Sequence, residues 1–258
     1  MNLLALKLIL TPLFVGGATL VARRFGPRVG GWLVGLPLTS GPVAFYLALE
    51  QGTGFAARAA QATLLGQVSF AAFCLTYRWL SLHFGWLGCW LGSWSAFFIT
   101  TFVLQQVSLP LPLAFITVVS VLLLTLLRLP DSHYEIVKTA HPAWDLPGRI
   151  LVATAFVLLL TGTAAFLGPH LSGLLLPLPI YATVIAIFTH HTYGAPAALQ
   201  VLHGVVVGSF AYVLFFLLIA ILVDSGGILV AFGSAITGAL LVQGCSLWLM
   251  SRQSQKYK

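Results

Sequence analysis

The chain has 258 residues, of which 59% are hydrophobic and 7% are charged. About a quarter of the residues of a typical soluble domain are charged. This composition therefore excludes a water-soluble fold and predicts an all-α polytopic membrane protein. The net charge of +7 favours basic loops beside anionic lipid headgroups and predicts no nucleic-acid partner.

Nine membrane-spanning helices are predicted in chain order. Residues 79–127 and 150–223 carry no Lys, Arg, Asp or Glu. Each run is longer than one span of about 20 residues, so glycine, proline and small polar residues mark the turns inside them. The predicted spans are 3–22, 30–49, 58–80, 84–107, 109–128, 149–167, 171–191, 196–223 and 226–250. The first span is predicted to be retained, because its basic residues follow the apolar run rather than precede it.

The distribution of Lys and Arg predicts the orientation in the cell inner membrane, because basic loops stay on the cytoplasmic side. If the N-terminus is outside, only Lys7 and Arg58 lie on the outer side. The other basic residues then lie inside: Arg23, Arg24, Arg28, Arg78, Arg128, Lys138, Arg149, Arg252, Lys256 and Lys258. An N-out, C-in topology is therefore predicted.

The chain also resembles itself when its numbering is shifted by about 140. At an offset of 140, Pro37 matches Pro177, Leu38 matches Leu178, Gly54 matches Gly194, Ala57 matches Ala197, and Ser69–Ala71 matches Ser209–Ala211. At an offset of 142, the segment 25–27 resembles 167–169, and at an offset of 141, the segment 91–93 resembles 232–234. The matches predict two four-helix repeats, at 1–108 and 149–250. They are separated by a connecting helix at 109–128 and a cytoplasmic polar loop at 129–148, and a basic tail follows at 251–258.

The two repeats are predicted to be inverted relative to each other. Five crossings separate each helix of the first repeat from its equivalent in the second. Equivalent helices therefore run in opposite directions through the membrane. Inverted repeats are a common construction of secondary transporters, and interrupted helices at equivalent positions point to their binding site.

Two predicted spans carry helix-breaking residues at equivalent places. They contain GLPLTSGP at 35–42 and LLPLPIYA at 175–182. Proline removes a backbone donor and clashes with the preceding turn, and freed backbone groups are costly in lipid. The predicted substrate-binding residues are Pro37, Thr39, Ser40, Pro42, Pro177 and Tyr181. The alternative is a pair of proline kinks that only shape packing, since membrane helices are rich in Gly and Pro.

Ionisable residues near these spans are candidates for proton coupling, because such residues are rare at membrane depth. Glu50 follows the first broken helix, and His190 is its counterpart in the second half. His203 is placed more deeply and has a suitable pKa range for a proton relay. Arg58 is added to the predicted substrate site as a group that attracts an anion. Exposure at the interface, hydrogen bonding between helices and snorkelling are the alternatives for these residues.

The sequence predicts no cofactor and no metal site. His190 and His191 are adjacent and point to different faces of a helix. Cys74, Cys89 and Cys245 fall inside predicted helices without metal-ligand spacing. The polar loop also lacks the spacing of a soluble metal site. Metal or haem binding by the histidines remains open.

Residues 30–107 resemble the small four-helix GlpM-type inner-membrane proteins. The residues that carry the resemblance are Pro37, Glu50, Gly52, the small-residue helix that begins near Ala56, and Gly92–Ser93. Residues 170–250 are similar, with Pro177 and Pro179, but have His190 in place of the acid. Two departures are Gln51, where the family has a basic residue, and the missing proline before Pro37. The resemblance implies two four-helix units fused in tandem, and it brings no substrate.

The sequence as a whole predicts a secondary transporter, either a permease or an exporter, with a midplane site between the two broken helices. Proton coupling is one option. The apolar walls favour a small amphipathic or hydrophobic substrate, and an anionic or lipid-linked one stays open. The alternatives are an intramembrane enzyme that acts on a lipid and a non-catalytic subunit of a larger complex. The expected partners are the lipid bilayer and a small-molecule substrate, with a homodimer as an open possibility.

Overall fold

The computed structural model describes residues 8–9, 12–13, 32–38, 40–129 and 145–255. Nearly all of the predicted first span, most of the polar loop at 129–148, residue Thr39 and the end of the basic tail lie outside these described residues. The described part of the chain is almost entirely α-helical and contains no strand. The predicted all-α fold class is therefore confirmed.

The described residues include seven helices of 12 residues or more. They are α1 (Ser40–Gln51), α2 (Thr53–Leu80), α3 (Trp86–Leu104), α4 (Leu111–Arg128), α5 (Asp145–Leu175), α6 (Ile180–Tyr193) and α7 (Ala195–Gln255). Two of these helices contain a non-helical glycine, Gly168 in α5 and Gly227 in α7. Each of the two is therefore a pair of shorter helices joined at a kink.

Glycines with positive φ set several helix boundaries. Gly52, Gly168, Gly194 and Gly227 have φ between 73° and 88°, with ψ between 166° and 175°. This backbone region is essentially restricted to glycine. Gly52 is the single residue between α1 and α2, and Gly194 is the single residue between α6 and α7. Helix α2 begins directly after Gly52, so it starts at Thr53 rather than at the predicted residue 58.

Four helices are long and apolar enough to cross a membrane. They span Thr53–Leu80, Trp86–Leu104, Leu111–Arg128 and Ala195–Leu247. The last has 53 residues and a kink at Gly227, which is enough length for two crossings of about 20 residues each. The fold is therefore that of an α-helical membrane protein. The number of nine spans and the orientation remain predictions.

Helix α2 lies at the centre of the bundle and packs against α3, α4, α5 and α7. In its most apolar stretch of 18 residues, 72% of the residues are buried, whereas the corresponding share in α3 and in α4 is 22%. Small residues such as Ala59, Ala62 and Gly66 allow close approach of neighbouring backbones, as is common between membrane helices. Helices α3 and α4 instead expose large apolar side chains, among them Phe102 and Leu124, which suits contact with lipid.

Both predicted helix interruptions are present. Residues 32–34 form a helical turn, residues 35–38 leave the helix, and α1 resumes at Ser40. In the second half, residues 176–179 separate α5 from α6. We refer to 35–38 as the first break and to 176–179 as the second break. The predicted spans 30–49 and 171–191 are thus discontinuous helices.

Candidate functional site

The two breaks have the same backbone hydrogen bonds. In the first break, Leu36 N–H donates to Leu33 C=O (3.1 Å), Leu38 N–H to Leu36 C=O (2.7 Å), and Gly41 N–H to Pro37 C=O (2.7 Å). In the second, Leu178 N–H donates to Leu175 C=O (3.2 Å), Ile180 N–H to Leu178 C=O (2.8 Å), and Thr183 N–H to Pro179 C=O (2.8 Å). Each of the three bonds recurs when 142 is added to both residue numbers, as from Leu36 to Leu178. The two segments therefore share a backbone conformation as well as a proline-rich composition.

This structural offset, 142 in residue numbering, changes which prolines correspond. In backbone conformation, Pro37 is equivalent to Pro179, whereas the sequence comparison matched it with Pro177. The position equivalent to Pro177 is Gly35. The positive-φ glycines Gly52 and Gly194 are separated by the same offset. Residue identity favours an offset of 140 locally, but the hydrogen bonds and the glycine conformations follow 142.

Each break packs against the long helix of the other half of the chain. A Cβ at Gly35 would collide with the Gly208 backbone in α7 and lie 2.7 Å from Val205 O. Equivalently, a Cβ at Gly66 in α2 would lie 2.7 Å from Pro177 Cγ and 2.8 Å from Leu174 O. Glycine is required at these crossings because the partner is backbone or a rigid ring. The breaks and the central helices are thus interlocked across the two halves.

A cavity of about 50 Å³ lies where the breaks meet these helices, and it is partly open to the outside. Most of its lining falls into pairs related by the structural offset. The pairs are Val34 and Leu176, Gly35 and Pro177, Leu36 and Leu178, Ser40 and Ala182, Gln67 and Ser209, and Phe70 and Tyr212. Pro179 and Val205 complete the lining. Both halves therefore contribute nearly equal shares of one cavity.

The cavity lies near the middle of the bundle. Gln67 is halfway along α2, which runs from Thr53 to Leu80, so each end of this helix is about 20 Å away at a rise of about 1.5 Å per residue. Tyr212 is close to midway between the start of α7 at Ala195 and its kink at Gly227. The cavity is therefore at mid-depth along both long helices.

Four polar side chains face the cavity, and all four residues are buried. Ser40 Oγ donates to Leu176 C=O (2.7 Å), and Ser209 Oγ donates to Val205 C=O (2.9 Å). Gln67 Oε1 and the Tyr212 hydroxyl are buried without a hydrogen-bond partner among the described residues. The Tyr212 hydroxyl lies beside Ser40 and Gln67 but does not reach hydrogen-bond geometry. Among the described residues that line the cavity, none is charged.

The structure brings part of the predicted substrate site to this cavity. Ser40 and Pro177 line it. Pro37 lies within the first break and Pro42 in the first turn of α1, both partly buried beside the lining residues. Thr39 lies outside the described residues. The backbone of Tyr181 belongs to α6, but its side chain is outside the described part of the chain.

The remaining predicted site residues do not line the cavity. Glu50 and Arg58 are exposed near the end of the bundle where α1 meets α2. His190 is near the end of α6, and His203 is partly buried on α7. The predicted site residues thus fall partly at the cavity and partly outside it.

Polar contacts at opposite ends of α2 tie this helix to the second half. At one end, Thr53 Oγ1 donates to Asp224 Oδ1 (2.9 Å). At the other, the Tyr77 hydroxyl lies 3.0 Å from His190 Nδ1. His190 therefore has a structural role that the sequence does not reveal. Within the described ranges, no group of three His, Cys, Asp or Glu side chains could hold a metal ion.

Sequence reasoning missed three of the four polar residues of the cavity, namely Gln67, Ser209 and Tyr212. Gln67 could have been found from the sequence, since it is an amide in the middle of an otherwise apolar span. Polar side chains inside membrane bundles face partners or cavities. Ser209 was noted only as part of a repeated triplet. Its place in the cavity depends on the crossing of α7 over the first break.

No family model matches the chain, and no curated protein and no solved structure matches it either. The candidate site therefore stands on its geometry alone.

Removal of the Tyr77 hydroxyl tests the tie between α2 and α6. Tyr77→Phe keeps the ring but removes the contact with His190. The free energy of unfolding in detergent is expected to fall by about 1 kcal/mol, the usual net value of one hydrogen bond. Ser95→Ala is the control, because its exposed hydroxyl donates only to Leu91 C=O of its own helix. The loss is due to this pair if Tyr77→Phe does not lower stability further in a His190→Ala background. The same loss in both backgrounds would contradict the contact.

Proposed function

We propose that the chain is a multi-pass transporter of the cell inner membrane whose substrate passes through the cavity between the two breaks. In this proposal the chain crosses the membrane nine times with the N-terminus outside. Its two four-helix units are inverted repeats. The observation that carries the proposal is the cavity itself, which equivalent residues of both breaks and both long helices line in pairs.

The physical support comes from the cost of broken backbone at membrane depth. Irregular backbone in the hydrocarbon region is tolerated only where protein buries it or where it lines a cavity. Both breaks meet this condition at the same cavity. Discontinuous helices that meet at the interface of inverted repeats form the substrate sites of many secondary transporters. The hydrogen bonds that recur at the structural offset support the repeat, and the predicted odd number of crossings between equivalent helices inverts it.

A substrate larger than a few water molecules requires the halves to move. Typical small-molecule sites have volumes of about 300–1,000 Å³, whereas this cavity has about 50 Å³. The cavity must therefore widen to admit such a substrate. Gly52 and Gly194 each join two helices through a single residue, so they are natural places for the change in backbone angles that such a movement needs.

The proposed substrate is a small amphipathic or hydrophobic molecule. Phe70, Val205 and the prolines of the second break supply apolar walls. An anionic group would have to be recognised outside the cavity, because Arg58 is exposed at one end of the bundle. Coupling of protons through Glu50, His190 or His203 would likewise act from outside the cavity. The GlpM-type resemblance fits this proposal as a fusion of two four-helix units.

Accessibility of the cavity from both sides of the membrane tests the proposal. Ser40→Cys and Ser209→Cys are made in a Cys245→Ala background, since Cys74 and Cys89 are buried. A membrane-impermeant thiol reagent is added to right-side-out and to inside-out vesicles. Both cysteines are expected to react from both sides. From the less populated side the reaction is expected to be about ten- to a thousandfold slower, because minor states are typically populated at about 0.1–10%.

Ser172→Cys is the matched control for this experiment. Ser172 is fully buried in α5 and does not line the cavity. It is expected to remain unlabelled from either side. Reaction of Ser40→Cys and Ser209→Cys from one side only, or from neither, would contradict transport by alternating exposure.

A further inference from the structure

Three of the four polar side chains around the cavity present oxygen lone pairs to it. The hydroxyl hydrogens of Ser40 and Ser209 are directed at backbone carbonyls, so their oxygens can only accept. Gln67 Oε1 is an acceptor, and it has no partner within the described residues. The Tyr212 hydroxyl can either donate or accept. A ligand that binds the oxygens of Ser40, Ser209 and Gln67 must be a donor or a cation.

The breaks add backbone acceptors to the same set. Ser40 reaches the Leu176 carbonyl of the second break. Its equivalent at the structural offset is Ala182, which has no hydroxyl to offer to the equivalent carbonyl of Val34. Val34 and Leu176 both line the cavity. The first break therefore lacks the hydroxyl contact that Ser40 makes with Leu176 in the second break.

We infer that the cavity is a binding site for one small monovalent cation, held by neutral oxygens of Ser40, Gln67, Ser209, Tyr212 and the unwound backbone. Hard cations prefer oxygen ligands, and unwound carbonyls of discontinuous helices are a physical solution to binding Na⁺ at the midplane. The inference rests on the proposed function for the role of the ion, which would couple transport to a cation gradient. Binding itself does not depend on that role.

Size and charge are consistent with this ligand. One water molecule needs about 10–15 Å³ of cavity volume, so a cavity of about 50 Å³ has room for one ion and a few waters. A full charge at membrane depth is costly. Rings of neutral carbonyl oxygens nevertheless replace the hydration shell of a monovalent ion in channels.

The test is the thermal stability of the purified full-length protein in detergent. Melting temperatures are compared in NaCl, KCl, NH₄Cl and choline chloride at one ionic strength, with chloride constant. A saturable rise of about 5 °C over choline is expected for at least one of the three small cations. A rise with ammonium alone would show that the site selects hydrogen-bond donors among cations, and a rise with Na⁺ or K⁺ would show that it binds a metal ion.

Two variants assign the effect to the cavity. Gln67→Leu and Tyr212→Phe are each expected to abolish the rise or to weaken the apparent affinity at least about tenfold, as loss of one ligand of about 1.4 kcal/mol would do. Tyr212→Phe keeps the ring that packs on Phe216 with a centroid distance of 4.6 Å, so it also tests the site if Gln67→Leu does not fold. Gln61→Leu is the matched control. It removes an amide of the same helix that bonds Leu109 C=O outside the cavity, and it should keep the full cation response.

Equal melting temperatures in all four salts would overturn the inference. A cation response that persists unchanged in both Gln67→Leu and Tyr212→Phe would overturn it too, because the ion would then bind elsewhere. These outcomes are independent of cysteine labelling. A cation response without cysteine labelling from both sides would contradict the proposed transport and leave the cation site standing. Labelling from both sides without a cation response would contradict only the cation site.

Discussion

Gly208→Ala is expected to be among the most destabilising single substitutions in the described part of the chain. The added Cβ would collide with Trp32 O and lie 2.8 Å from Gly35 Cα. Neither atom belongs to a flexible side chain, so the first break and α7 would have to separate. Overpacking of this kind costs about 1–3 kcal/mol and sometimes more. The loss is expected as a lower midpoint of chemical unfolding in detergent micelles.

Gly233→Ala is the matched control for this substitution. Gly233 is exposed in α7 beyond the kink at Gly227, and a Cβ there would meet nothing within 4 Å. Alanine favours the helix over glycine by about 1 kcal/mol, so this variant should be as stable as the original chain or more stable. The double variant Gly35→Ala with Gly208→Ala should cost less than the sum of the single variants, since one separation relieves both collisions. Equal stability of Gly208→Ala and Gly233→Ala would contradict the crossing.

Gly173→Ala is expected to have an effect of similar size at a different crossing. Its Cβ would collide with Ala59 O and lie 2.7 Å from Ala62 Cβ. Gly173 lies in the last turn of α5, directly before the second break. Separation of α5 from α2 would therefore also displace Leu176 and Pro177 from the cavity. We expect a loss of about 3 kcal/mol in unfolding free energy and, as a second readout, loss of the cation-dependent rise in melting temperature.

Gly162→Ala provides the comparison for Gly173→Ala. It lies in α5 before the kink at Gly168, and a Cβ there would meet nothing within 4 Å. It should lower neither the unfolding midpoint nor the response to cations. If Gly173→Ala lowered stability but kept the full cation response, the coupling between the α5–α2 contact and the cavity would be wrong.

The sequence predicts the broken helices because proline and glycine act locally. A proline cannot donate to the helix ladder wherever the chain goes, so the interruptions near Pro37 and Pro177 can be read from the residues alone. Helix boundaries are less certain, as the start of α2 shows. The sequence places it at residue 58, beside Arg58, whereas the positive φ of Gly52 moves it to Thr53. A glycine in the sequence does not reveal which conformation it takes.

The cavity residues could not be predicted in the same way. Ser40 was predicted because it lies beside a break. Gln67 and Tyr212 lie in uninterrupted parts of α2 and α7, and they reach the cavity because each long helix crosses the break of the other half. Glu50 and His190 show the converse, since ionisable residues near a break suggest a site but lie outside the cavity. His190 instead contacts Tyr77.

The sequence by itself determined the class of protein and the two positions at which its helices break, because composition and proline act without reference to distant parts of the chain. Only the tertiary structure decided that these breaks meet, and that the backbone hydrogen bonds around Pro37 match those around Pro179 rather than Pro177. Only the tertiary structure also decided which polar groups line the space between them. The reason is that a helix crossing depends on the close approach of backbones far apart in sequence, such as Gly35 and Gly208. No periodicity or composition within either segment records that approach.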